Sequence, residues 1–197
     1  MRMPLLLLLG MCCCVPLTLR AQGHVRQTDL DSGRVEKGRR LGVWSFYALT
    51  ASGRKVLIQR YYFDRKKLLY YRKLESQPYR HQVGSDWLNG PLDRPPMYLG
   101  GDALLATYIR QLEYPEQART NNVQGRVIVR FVVDTLGQAS EYQVLQGIGS
   151  GCDEEALRVA RNIPHEWIPG RKGGRAVKVQ YELPFTFRLA ERPASGF

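Results

Sequence analysis

At 197 residues, 44% apolar and 24% charged, the chain has room for one or two small globular domains and is not a disordered polymer. Its formal charge of +11 is spread along the chain, with clusters at Arg34–Arg40, Arg60–Lys73 and Arg171–Lys178. A secreted chain has little access to nucleic acid, so the charge reads as attraction to anionic lipid or cell-wall surfaces, and nucleic acid is set aside as a partner.

The secretory reading comes from the N-terminus. Met1-Arg2-Met3 is a short positive region, Leu5–Leu19 an apolar run, and Ala21 a small-residue end before Gln22. That is the layout of a signal peptide over residues 1–21, with cleavage expected after Ala21. As a helix the run reaches only about 24 Å at 1.5 Å per residue, short of a hydrocarbon core of roughly 30 Å. Pro16 also argues against a membrane span, and an uncleaved anchor is the alternative. Cys12, Cys13 and Cys14 leave with the signal. Cys152 then stands alone, no intramolecular disulfide can form, and the fold must hold by packing.

Residues 22–93 read as a small basic β-hairpin region followed by a linker. After a polar lead-in, Gly38–Tyr47, Lys55–Phe63 and Lys67–Tyr71 are predicted as short strands, joined by turns at Ser52-Gly53 and Asp64-Arg65. Gly38-x-x-x-Gly42-x-Trp44-x-x-Tyr47 with the later Ser52-Gly53-Arg54-Lys55 resembles one unit of the MORN/YwqK-like hairpin repeats of bacterial surface proteins. Such units bury their faces on neighbours, so a single one is expected to pack on another part of the chain. Its alternating aromatic and basic residues also suit a ligand-facing surface. Tyr79–Pro96, rich in Pro, Gly, Asn and Asp, reads as a linker, with a domain boundary near Arg94.

From residue 94 onward helices and strands alternate. Asp102 is expected to cap a helix over Asp102–Leu112, with Leu104, Leu105, Tyr108 and Leu112 on one stripe. Pro115 restarts a helix after Tyr114. Val127, Val129, Phe131 and Val133 recur at the period of a strand, Asp134–Gly137 makes a turn, and Ala139–Gln146 returns. Asp153–Asn162 is predicted helical, with Asp153, Glu154 and Glu155 favourable at its N-terminus. A last strand is expected over Val177–Leu189, interrupted by Pro184. A proline cannot donate to a ladder and is tolerated mainly on an edge strand or at a bulge, and Lys178, Glu182 and Arg188 are placed to protect such an edge by charge.

Tyr114-Pro115-x-x-Ala118, Gln124-Gly125-Arg126-Val127 through Asp134, Asp153–Leu157, Trp167-x-Pro169-Gly170 and Tyr181-x-Leu183-Pro184-Phe185-x-Phe187 fall in one order. Together they resemble the TonB C-terminal domain, over residues 94–197. The resemblance implies an α+β fold: a three-stranded antiparallel sheet with helices on one face. It implies a periplasmic binding module that grips the TonB box of an outer-membrane transporter by β-augmentation along the last strand. The residues it brings forward as partner-binding are Gln111, Tyr114, Val177, Val179, Tyr181 and Leu183. An ExbB–ExbD motor would be a further partner if the N-terminal segment is retained, which would anchor the chain in the inner membrane. The stretch Gln77–Pro96 is too short and too poor in proline for a spacer across the periplasm.

Other function classes find less support in the sequence. Cys152 beside Asp153, with His165 downstream, invites a thiol mechanism, but Cys152 fits a small buried hydrophobe better, so no enzyme is expected and no catalytic residue is assigned. The three histidines lie far apart with no acid at ligand spacing, so neither metal nor cofactor is expected. Arg171–Arg175 lacks the strand–helix context of a phosphate loop. The competing reading is a structural adaptor whose hairpin unit binds a surface partner, with the TonB-like domain as scaffold.

Overall fold

The structure, a computed structural model, describes residues 23–73 and 77–189. The expected signal segment lies outside the described residues. Among the described residues no helix is long and apolar enough to cross a membrane.

The first sheet is a meander in chain order: β1 (His24–Gln27), β2 (Asp31–Glu36), β3 (Arg39–Leu49), β4 (Lys55–Tyr62) and β5 (Lys67–Tyr71). The sequence predicts three strands here, and the polar lead-in supplies two more. β1 is exposed throughout and carries no apolar alternation. Its turn into β2 is held by buried Asp31, which accepts the Thr28 hydroxyl at 2.7 Å and pairs with Arg26 at 3.3 Å. A buried carboxylate survives because its charge and lone pairs are met. Trp44 lies over Gly33, where any side chain would collide with the indole, and its ring N–H donates to the Arg34 carbonyl at 3.2 Å.

The chain then makes β6 (Tyr79–Val83), β7 (Asp86–Gly90), β8 (Met97–Tyr98), α1 (Gly101–Ile109), α2 (Glu116–Thr120), β9 (Gly125–Val133) and β10 (Ala139–Gln146). After these come α3 (Cys152–Asn162), β11 (Trp167–Ile168), β12 (Gly170–Lys172), β13 (Arg175–Val177) and β14 (Val179–Phe187). The second sheet has the order β10-β9-β14-β6-β7 and is antiparallel throughout. Its β10-β9-β14 part is the expected three-stranded sheet. The helices lie on one of its faces: Leu105, Ala118, Ala156, Val159 and Ala160 share a core with Val127, Val129, Phe131, Leu183, Phe185 and Phe187. Burying each of the three phenylalanines contributes about 1.5–3 kcal/mol relative to leaving it in water.

Three expectations are corrected. Tyr79–Gly90 is a hairpin of the second sheet rather than linker, closed by the two-residue turn Gly84-Ser85 with Gly84 at φ +62°. The last strand divides, because Arg175–Val177 pairs back on Gly170–Lys172 before β14 begins. α1 is capped by Gly100, without a side-chain cap, and Asp102 sits in its first turn.

The two sheets meet through a second apolar cluster, in which Trp44 and Phe46 pack with Met97, Leu99 and Ile168. Buried Gln59 donates to the Tyr98 carbonyl at 3.0 Å and accepts the Gly100 N–H at 2.8 Å. Arg40 pairs with Glu166 at 2.9 Å and lies over the rings of Trp44, Phe46 and Phe63 at 5.1, 5.8 and 5.5 Å.

Candidate functional site

Among the described residues β14 has strand neighbours on both sides at its start and on one side only for the rest. Against β9 it pairs along its whole length, from Val179 opposite Val133 to Phe187 opposite Gly125. Against β6 it pairs at Val179–His81 alone, flanked by the Gln82 N–H donating to the Lys178 carbonyl at 2.9 Å. Successive residues of a strand turn their backbone groups to opposite sides. Lys178 faces β6, so Gln180, Glu182, Pro184 and Thr186 face that side too, and the odd-numbered residues face β9. The turn at the end of β9 agrees. The Asp134 N–H donates to the Gln138 carbonyl at 2.9 Å, which directs the even residues of β9 to β10 and the odd ones to β14.

Beyond Gln180 no strand covers that side of β14 among the described residues. Glu182 and Thr186 each present an N–H and a C=O there, and Pro184 a C=O. Pro184 loses nothing, because the N–H it lacks would have pointed away from β9. The side chains of Glu182, Pro184 and Thr186 are exposed, whereas Leu183, Phe185 and Phe187 enter the core.

A recess lies at each end of this edge. One, of about 420 Å³, sits between the start of β6 and β14 and is lined by Gln77, Tyr79, Arg80, Arg130, Tyr181 and Glu182. The other, of about 310 Å³, is lined by Ile109, Arg110, Leu112, Tyr114, Phe187 and Arg188. The turn that carries its wall is tied to α3: the Glu113 N–H donates to Glu155 at 2.7 Å, and Arg158 donates to the same carboxylate at 2.7 Å. The Arg158 guanidinium holds the Glu155 carboxyl below the usual carboxylate range.

The six residues expected to bind a partner fall in different places. Tyr114 lines the second recess with its ring, edge-on to Phe187 at 5.7 Å, while its hydroxyl is committed to the Val123 carbonyl at 2.6 Å. Burial pushes that phenol above its ordinary value, so it stays a donor. Gln111 is exposed in the turn after α1, between Arg110 and Leu112 of the recess wall. Val177 ends the β12–β13 hairpin opposite Gly170 and is off the open edge. Val179 is buried between β9 and β6, Tyr181 packs its ring at a tilt against Trp167 with centroids 4.9 Å apart, and Leu183 is buried. The core-facing parity that makes these four conspicuous also commits the β14 residues among them to β9. The edge belongs to Glu182, Pro184 and Thr186. Pro184 is the signal that could have found them, since its parity marks the side with no donor to lose.

Burial raises the Cys152 thiol above its ordinary value and keeps it protonated, and His165 is engaged with the Ala139 N–H through Nδ1 at 3.2 Å.

Residues 110–189, which hold the edge, both helices α2 and α3, and the wall of the second recess, match the family model described as Gram-negative bacterial TonB protein C-terminal. Over these residues the chain is similar to TonB C-terminal domains. Members of the family engage outer-membrane transporters in the Gram-negative envelope, and the match supports a TonB-like role in coupling energy to transport. Two solution structures of the Helicobacter pylori TonB C-terminal domain are similar to the chain. One is 21% identical, with 45% of this chain and 79% of that chain covered and a TM-score of 0.35. The other is 22% identical, with 46% and 95% covered and a TM-score of 0.35. A search of curated proteins found no match. The TonB-like region differs from a bare three-stranded sheet in one respect that bears on its edge: β6 and β7, from ahead of the matched span, join it beside β14.

Proposed function

We propose that the protein is a periplasmic TonB-like binding module that docks an extended segment of an outer-membrane transporter by strand addition, in support of energised transport. The observation that supports this most is the run of backbone groups at Glu182, Pro184 and Thr186 that face no strand among the described residues, on a strand paired along its whole length with β9. A docked strand would gain up to about five backbone hydrogen bonds there, each worth about 1 kcal/mol net. The basic walls of the two recesses, with Arg80 and Arg130 at one end and Arg110 and Arg188 at the other, would hold acidic flanks of that segment.

Thr186→Pro tests the reading. It removes an edge donor that plays no part in the β9 ladder, so stability should stay near that of the wild type. Affinity for a TonB-box peptide should fall by about five- to tenfold, the equivalent of about one backbone hydrogen bond. Unchanged affinity would contradict docking at this edge.

A second reading makes the TonB C-terminal domain a scaffold and the first sheet the binding surface. It is favoured by the cross-strand row Ser32–Ser45–Arg60–Tyr70 on the sheet's outer face, where Tyr70 is 43% exposed. In that case Thr186→Pro would leave all partner binding intact. Whether an ExbB–ExbD motor takes part turns on the N-terminus. Intact mass from soluble and inner-membrane fractions would show either a mature chain beginning at Gln22 or an anchored one.

A further inference from the structure

The docking edge is bounded by the protein's own strand. We infer that β6, preceded by Pro78, is a built-in stop that sets where a docked strand begins and confines a partner's extended segment to Glu182–Thr186. The inference rests on the docking reading and adds a specificity element to it.

The register carries the argument. His81 lies opposite Val179, so Gln82, Arg80 and Pro78 are the positions on the side of β14, and continuing that register sets Pro78 against Glu182 across the recess that both line. Gln82 donates its N–H to the Lys178 carbonyl. Pro78 has none to donate, so self-pairing has no rung at the position where the edge opens. The alternate residues of β6 are committed to β7, with Tyr79 opposite Gly90, His81 opposite Leu88 and Val83 opposite Asp86. His81 is 3% exposed, which anchors the hairpin rather than leaving it a loose flap.

The free stretch spans about 17 Å at 3.4 Å per residue. Its two N–H and three C=O groups are matched by an extended peptide of the same length, without proline at the positions that face Glu182 and Thr186. Its end emerges in the polar recess, where the Gln77 amide donates to the Tyr79 hydroxyl at 2.8 Å.

Two substitutions on the side of β6 that faces β14 shift the stop in opposite directions. Pro78→Val supplies the missing donor and extends β6 toward Glu182. Gln82→Pro removes the existing one and leaves the β7 pairing untouched. The test uses the full chain, residue-resolved amide exchange, and titration with a TonB-box peptide that spans Glu182–Thr186 and one two residues longer. The inference predicts no tighter binding of the longer peptide by the wild type and a gain of about fivefold in Gln82→Pro. Pro78→Val should bind both peptides more weakly, and the backbone amide that this substitution introduces at position 78 should be protected without peptide. A length dependence that ignores both substitutions, or an introduced amide that exchanges like an open loop, overturns the stop alone. No binding by any variant overturns the docking reading and the inference with it.

Discussion

Glu155 shows how a single side chain positions the wall of the second recess. It accepts the Glu113 N–H and the Arg158 guanidinium, both at 2.7 Å, and so ties the turn after α1 to α3. The Arg158 contact lowers its folded-state pKa, with the Glu113 N–H adding to the effect. The sign follows from the depressed value. The stabilisation is complete above the ordinary carboxylate range and is lost as pH falls through the lowered folded value. Chemical denaturation as a function of pH should show an acid limb that Glu155→Gln flattens, and an unchanged limb would contradict the role. This contact is invisible in the sequence, where Glu155 reads only as a favourable charge at a helix N-terminus. Gln59 is a similar case: a polar residue within a strand pattern, whose buried amide serves two backbone groups 39 and 41 residues away.

At the scale of elements, β9 is legible in the sequence because Val127, Val129, Phe131 and Val133 alternate on a face that is buried without exception. α3 is legible because its acids open the helix and its small apolar residues face the sheet. β6 is not. Tyr79-Arg80-His81-Gln82-Val83 has no apolar face, because an edge hairpin buries little, and only the Gly84-Ser85 turn hints at it. The β9–β10 turn depends on tertiary context in another way. Gly137 has φ +82°, and a Cβ there would collide with the Trp167 carbonyl. Gly137→Ala should therefore cost about 1–3 kcal/mol through backbone strain and displacement of β11. A thermal midpoint equal to that of the wild type would show that the turn can yield.

The whole molecule joins a meander to the TonB-like region through Trp44, Phe46, Gln59 and Arg40. Aromatic and polar alternation around Trp44 locates the strand, but its partner face, Met97, Leu99 and Ile168, lies on short segments that no periodicity marks. Trp44 is fully buried. Trp44→Ala should lower stability by about 3–5 kcal/mol, and both sheets should lose structure in one calorimetric transition. Two well-separated transitions in the wild type would show that the sheets fold independently.

The edge of β14 is where these scales meet, and residue-resolved amide hydrogen exchange with and without a TonB-box peptide tests it most directly. In the free chain the Glu182 and Thr186 amides should exchange fast while Leu183, Phe185 and Phe187, paired with β9, are protected. Peptide should protect Glu182 and Thr186 selectively. Exchange at those two amides that peptide leaves unchanged, despite measurable binding, would place the interaction elsewhere and contradict docking by strand addition.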